Sequence, residues 1–215
     1  MADPILYSYW RSSCSYRVRI AAFLKKVAFE YRDVHLVRDG GEQKKADYLA
    51  LNPMGQVPLR VQDGHQVGQS MAIIQLLEQL APQPALFPAD PFERAQVVAL
   101  CEDINTGIQP VQNLSVMQYV DQQYEVGGEG KAAWASHWID KGFVALEAKL
   151  AKTAGVYAFG DQVSAVDCFL VPQVYNAVRF KLDMDRFPTI KRVNETCLAE
   201  EAFKQAHPDS QPDAP

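Results

Sequence analysis

The sequence predicts an α/β domain followed by an all-α one, and three observations carry this. Short β-prone stretches alternate with stretches of helical periodicity as far as Leu80. Pro82, Pro84, Pro88 and Pro91 then crowd a segment that regular structure does not readily cross. From Phe92 onward only helical stretches follow. With 215 residues, 48% of them hydrophobic, the chain can bury the cores that two modest domains need.

Residues 4–9 (PILYSY) are short, aromatic and β-prone, and polar Arg11, Ser12 and Ser13 stop them before a helix begins. In that helix Tyr16, Ile20, Phe23, Leu24 and Val27 recur every three or four positions, so one face is apolar and must pack on a sheet. Lys25 and Lys26 suit its C-terminal end. Residues 29–36 (FEYRDVHL) are a second strand, Asp39-Gly40-Gly41 a loop, and residues 42–51 a short helix closed by Asn52-Pro53. Residues 57–62 and 65–67 flank Asp63-Gly64, a dipeptide suited to a tight hairpin turn. Ser70 then opens a helix with Ile73, Ile74, Leu77 and Leu80 in one stripe.

The order βαβαββα, parallel first and then a hairpin, is that of a thioredoxin-like domain. It is expected over residues 1–81, with a linker over 82–91. Helices are expected over 92–108, 111–119, 132–150, Ala165–Arg179 and 190–206, giving a C-terminal helical bundle domain over 92–207. The polar, proline-rich tail, 208–215, is expected to be loose.

The 21 basic and 26 acidic residues give a net charge of −5, and neither sign forms a block able to track a phosphate backbone. No nucleic-acid partner is expected. No stretch nears the ~20 apolar residues of a membrane span, and residues 1–9 lack the basic-then-apolar pattern of a leader. A soluble, cytoplasmic protein with no membrane partner is expected. Cys14, Cys101, Cys168 and Cys197 form no CxxC pair and no metal-like spacing with the histidines, so no metal is expected and a reducing compartment suits them.

Three stretches can carry chemistry. In residues 9–20 (YWRSSCSYRVRI) two hydroxyls and a thiol stand where a strand gives way to a helix, so an anion there would meet free backbone N–H groups and the positive end of the helix dipole. Taken alone, Ser12 and Ser13 read first as an ordinary N-cap and Cys14 as a buried core thiol. In residues 52–58 (NPMGQVP) a cis Val57-Pro58 bond would turn the Val57 backbone toward a peptide-like ligand, whereas a trans proline would merely start an edge strand. Gln69 and Ser70 stand at a helix start, where they either hold a carboxylate or cap the helix.

The runs SSCSYRVRI, DGGEQ, NPMGQVP, QSMAIIQLLE, IQPVQNLSV and VPQVYNAVRF stand in this order along the chain. Together they resemble the zeta-class glutathione transferases, also known as maleylacetoacetate isomerases. The resemblance implies the glutathione transferase fold, with glutathione as cofactor held by the thioredoxin-like domain and a helical domain that completes the substrate pocket. It implies that Ser12, Ser13 and Cys14 are the catalytic serine-serine-cysteine motif, and that Ser12, Gln43, Val57, Gln69 and Ser70 bind glutathione. Gln109, Asn113, Leu114 and Ser115 match ligand-contacting positions of the second domain, and Arg11 and Arg179 match arginines that would hold a dicarboxylate substrate.

Residues 163–167 (VSAVD) resemble the helix-capping box of transferase folds, with Ser164 as cap and Asp167 three residues on. Arg17 and Arg19 are expected to pair structurally on the first helix. A homodimer is also implied. Leu59 directly after Pro58 departs from the family pattern, which predicts a register shift or a bulge in the hairpin.

The activity implied is the glutathione-dependent cis-trans isomerisation of maleylacetoacetate to fumarylacetoacetate, a step of aromatic amino-acid breakdown. The same activated thiolate would serve conjugation or dehalogenation of small α-halo acids, or maleylpyruvate isomerisation. A non-catalytic binding protein on the same fold would have no use for the Ser12 hydroxyl.

Overall fold

The computed structural model divides into two compact units, one of Met1–Ala85 with Glu200–Pro215 and one of Leu86–Ala199. Residues 3–215 are described.

In the first unit the order is β1 (Ile5–Ser8), α1 (Ser13–Leu24), β2 (Glu30–Asp33), two 3-10 turns (Arg38–Gly40 and Glu42–Lys44), α2 (Ala46–Leu51), β3 (Leu59–Gln62), β4 (His65–Gly68) and α3 (Ser70–Leu80). The four strands form one sheet in the order β2-β1-β3-β4. β1 runs parallel to β2 and antiparallel to β3, which pairs antiparallel with β4. This is the thioredoxin-like βαβαββα arrangement. Tyr16 and Ile20 of α1 and Ile73, Ile74 and Leu77 of α3 are buried together with Leu6 and Leu59 of the sheet.

The hairpin holds an uninterrupted ladder from Leu59↔Gly68 to Gln62↔His65. Of the expected register shift or bulge, no bulge interrupts this ladder, and Asp63 (φ 50) and Gly64 (φ 80) close the turn in two residues, both left-handed as the strand twist requires. The expected helix over 42–51 is divided, because Lys45 is extended (φ −71, ψ 147) between the 3-10 turn and α2.

Lys25 is no exposed partner of the helix dipole. Its Nζ is buried, 2.5 Å from Glu78, and donates to the carbonyls of Ala81 and Pro84 at 2.8 and 2.9 Å. Arg17 and Arg19 are both 0% exposed; Arg19 stands over the Tyr16 ring of its own helix, its Cζ 5.4 Å from the centroid, and both arginines also reach other elements. Arg17 donates to Ser70 Oγ, and Arg19 donates to Ser8 Oγ and to the carbonyls of Tyr9, Trp10 and Ala206.

The second unit is helical: α4 (Pro91–Asn105), α5 (Leu114–Tyr124), α6 (Gly127–Thr153), α7 (Ala165–Arg179) and α8 (Pro188–Ala199). Asp90 caps α4 by accepting the N–H groups of Phe92 and Glu93, and Pro91 stands at the first position, where its missing N–H costs nothing. α7 is buried along most of its length, with Phe169, Leu170 and Val174 in a core shared with Val97 and Ile104 of α4, Ile139 and Phe143 of α6, and Ile190 of α8. Its N-terminus carries the capping box. Ser164 Oγ accepts from Val166 N–H, and Asp167 Oδ2 accepts from Ser164 N–H at 2.8 Å. Burial pushes the Asp167 carboxyl above the usual carboxylate range, against the pull of donors from Ser164, Ala158 and Cys197.

Residues 190–206 are not one helix. Glu200 is extended (φ −76, ψ 139), and beyond it α9 (Glu201–Ala206) belongs to the first unit, where Phe203 and Ala206 are buried and α9 packs on α1. The tail is not loose either. A 3-10 turn at Pro208–Ser210 leads to Gln211, 8% exposed, whose Nε2 donates to the carbonyls of Gln205 and His207 at 2.8 Å each. The expected boundaries at 207 and 208 thus give way to one between Ala199 and Glu200.

Candidate functional site

α1 begins where β1 ends, and the turn between them is tightly held. Ser12 N–H donates to Tyr9 C=O at 3.0 Å, and Ser12, extended at φ −68 and ψ 118, is the N-cap. Its Oγ accepts from Ser15 N–H at 3.2 Å. A serine hydroxyl has one proton to give besides its lone pairs, so capping leaves the Ser12 O–H available as a donor. The N–H groups of Ser13 and Cys14, in the first turn, have no acceptor among the described residues. Ser13 is buried, whereas Ser12 and Cys14 are partly exposed. This end of α1 offers an anion three donors and the positive end of a helix of 12 residues.

Arg17, one turn further along α1, donates to Ser70 Oγ at 3.1 Å and ties α1 to the first residue of α3. Ser70 is therefore not a cap. The N-cap position belongs to Gln69, whose side chain makes no cap hydrogen bond. Gln69 holds φ 66 and ψ 119, a state that L residues rarely adopt and that costs about 1–3 kcal/mol. Its Nε2 lies 3.4 Å from Gln56 Oε1, beside Val57. The Val57-Pro58 bond is cis. Val57 stands outside the β3 ladder, and no turn or loop hydrogen bond uses its N–H or C=O among the described residues.

Val57 packs in a cluster with Tyr9, Val34 and Tyr48, which Trp10 and Leu36 flank. Gln43 joins through Leu36, whose carbonyl accepts from Gln43 Nε2 at 3.2 Å, while Gln43 Oε1 is buried without a partner. Gly41 makes this possible: at φ +105, a Cβ there would stand 2.6 Å from the Gln43 carboxamide. The contacts thus link Ser12, Ser13, Cys14, Gln43, Val57, Gln69 and Ser70 within the first unit. Arg11 lies over the Trp10 ring, its Cζ 5.2 Å from the centroid.

In the helical unit, Gln109 precedes a 3-10 turn (Pro110–Gln112), and Asn113 caps α5 by accepting from Ser115 N–H and Oγ, both at 3.1 Å. Two anchors hold this segment: Trp134 Nε1 donates to Val111 C=O at 2.7 Å, and buried Gln112 donates to buried Gln173 at 3.2 Å. Leu114 is partly exposed. Arg179 stands at the exposed end of α7 with its Cζ 4.5 Å from the Phe180 ring centroid.

Sequence reasoning missed the reach of Arg17 to Ser70. The available signal was its position inside a helix segment, Tyr16 to Ala22, that is otherwise apolar except for Arg19. It also missed the orphaned oxygen of Gln43, which depends on folding of the Gly41 loop.

Residues 2–79 match the family described as Glutathione S-transferase, N-terminal domain. The maleylacetoacetate isomerase of Rattus norvegicus is 49% identical over 212 residues, 99% of this chain and 95% of the relative. The maleylacetoacetate isomerase of Anaeromyxobacter dehalogenans, solved with glutathione bound in its active site, superposes with a TM-score of 0.88 at 47% identity, covering 99% of this chain and 98% of that one. The holo structure of a maleyl pyruvate isomerase, a bacterial zeta-class glutathione S-transferase, gives a TM-score of 0.94 at 40% identity over 98% of this chain and 99% of that one. On sequence and architecture together, the chain belongs to the zeta-class glutathione transferases, the family of the maleylacetoacetate isomerases.

Proposed function

We propose that the protein is a glutathione-dependent cis-trans isomerase that converts maleylacetoacetate to fumarylacetoacetate. The observation that carries this is the Ser12 hydroxyl, which caps α1 as an acceptor and keeps its proton beside the free N–H groups of Ser13 and Cys14.

The first unit fits glutathione by its own donors and acceptors. The orphaned Gln43 Oε1 suits a ligand N–H, the unused Val57 backbone suits an extended peptide, and Gln69 and Ser70 at the start of α3 suit a carboxylate. Bound glutathione supplies a thiolate for reversible addition to the activated double bond, so none of it is consumed.

An ordinary thiol near pKa 8.5 is only a few per cent ionised at pH 7, and lowering it by about two units takes roughly 2.7 kcal/mol. A hydrogen bond from Ser12 to the anion contributes ~1.5–3 kcal/mol and the end of α1 up to ~2 kcal/mol. Ser12 and the first turn therefore suffice without a basic residue. Ser13 and Cys14 complete the proposed motif, Cys14 as a neighbour that tunes the thiolate. Arg11 and Arg179 are the cations proposed for substrate carboxylates, and Gln109, Asn113, Leu114 and Ser115 the proposed ligand contacts of the helical unit. A homodimer and a cytoplasmic location come with the family reading.

Incubation with maleylacetoacetate and glutathione, following product and remaining thiol together, tests the proposal. Product with thiol undiminished supports it. Loss of one thiol per turnover on a halo acid, with no isomerisation, would replace it by transferase chemistry. The likeness to a maleyl pyruvate isomerase favours maleylpyruvate as a second substrate, to be run in parallel.

A further inference from the structure

The backbone that leads into Ser12 is fixed by a residue from the far end of the chain. Trp10 N–H donates to Asp213 Oδ2 at 2.9 Å, and the Tyr31 hydroxyl donates to Asp213 Oδ1 at 2.6 Å. On the other side of the same residue, Trp10 C=O accepts from Arg19 Nη2 at 2.9 Å. Tyr9 C=O accepts from Arg19 Nη1 and from Ser12 N–H at 3.3 and 3.0 Å. Arg19 is in turn held by the Ala206 carbonyl at 3.1 Å, and Gln211 closes the segment on the carbonyls of Gln205 and His207. The approach to the N-cap is thus clamped between a buried guanidinium and a carboxylate, both anchored on the C-terminal segment, and both backbone polar groups of Trp10 are spoken for.

We infer that Asp213 is a positioning residue for the Ser12–Cys14 turn: by accepting the Trp10 N–H it fixes the path of the chain into α1, and with it the place of the Ser12 hydroxyl. This rests on Ser12 being the residue that faces the sulfur. The physical reason is that two peptide units separate Trp10 from the N-cap, too few to absorb a displacement. A loss of about 1 Å in aim is enough to cost a catalytic constellation much of its rate. Arg19 holds only the carbonyl side, so without Asp213 the Trp10 peptide can tilt about that anchor.

The test uses the full-length Asp213→Ala, Asp213→Asn and Tyr31→Phe variants beside the unsubstituted protein. Hydrogen exchange without ligand reads the clamp directly. Asp213→Ala is expected to speed exchange of the Trp10 amide at least tenfold and that of the bonded Ser12 and Ser15 amides measurably, with amides of α7 unchanged. In ultraviolet titration of bound glutathione, Asp213→Ala is expected to raise the thiol pKa and to lower kcat about tenfold with KM for glutathione changed less than threefold. Asp213→Asn keeps an acceptor oxygen and is expected to restore most of both. Tyr31→Phe, which leaves the carboxylate on Trp10, is expected to fall between. If Asp213→Ala folds and exchanges as the unsubstituted protein does, or exchanges faster yet keeps the bound-thiol pKa and kcat, Asp213 positions nothing. If the unsubstituted protein itself binds no thiolate, the isomerase reading fails instead, and the exchange result still decides the clamp.

Discussion

A hydroxyl that accepts from Ser15 N–H and keeps its own proton cannot be probed by alanine alone, because alanine removes the cap and the donor together. Aspartate separates them. It caps as well as serine and suits the positive end of α1, yet it brings no proton and repels an anion. Ser12→Ala is expected to cost about 1 kcal/mol in urea unfolding. Ser12→Asp should match or exceed the parent in stability, and both should lose turnover and raise the bound-thiol pKa. Ser12→Asp with parental turnover would exclude Ser12 as the donor. Gln69 poses the complementary case, since its φ of 66 is strain held at a proposed glutathione-binding position. Glycine takes that conformation freely, so Gln69→Gly is expected to stabilise the fold by roughly 1 kcal/mol while weakening glutathione binding severalfold. A destabilised Gln69→Gly, by thermal or urea unfolding, would mean that the side chain holds more than its backbone costs.

Among the elements, the turn from His35 to Lys44 aims Gln43, and Glu42 is its fastening. His35 N–H at 2.7 Å and the Arg38 guanidinium hold the Glu42 carboxyl below the usual carboxylate range. A folded value below the unfolded one means that the stabilisation is present above the unfolded pKa and drains away as pH falls through the folded one. Glu42→Gln is therefore expected to be less stable than the parent by about 1 kcal/mol at pH 7. The gap should close as the pH is lowered below about 4, and urea melts across that range measure it. A gap that persists in acid would assign the loss to packing rather than charge. Such elements were legible in the sequence to different depths. The bounds of α7 follow from its capping box and largely apolar sequence, and α1 from a polar stop before a periodic stripe. The break at Glu200 was hidden because Ile190, Val193, Cys197, Phe203 and Ala206 are apolar on both sides of it. The start of α5 was misplaced because Pro110 to Gln112 form a 3-10 turn and Asn113, not the apolar Val111, is the cap. Of the candidate site, the serines and Cys14 were visible as a local motif. The bond of Trp10 to Asp213 joins residues 203 positions apart, and nothing local in either records it.

For the whole molecule, the C-terminal segment is core to the first unit rather than a trailing end of the second. Phe203 and Ala206 are 0% exposed, and the Ala206 carbonyl holds a guanidinium that is also 0% exposed. Ending the chain after Ala199 would uncover the face of α1 on which α9 packs. Burial of a phenylalanine contributes about 2–3 kcal/mol, and stranding a buried cation donor costs about 1–3 kcal/mol more. Together with the two bonds to Asp213, that sum approaches the roughly 5–15 kcal/mol that hold a whole domain folded. Removal of Glu200–Pro215 is therefore expected to unfold the first unit while the helical unit, with its own core from Val97 to Ile190, keeps its protection. Hydrogen exchange with peptide resolution reads both at once: α1 and the β1 strand should exchange as an open chain, and α7 should not. Equal loss in α7 would mean that the two units fold as one, and intact protection in α1 would return the segment to the status of a loose tail.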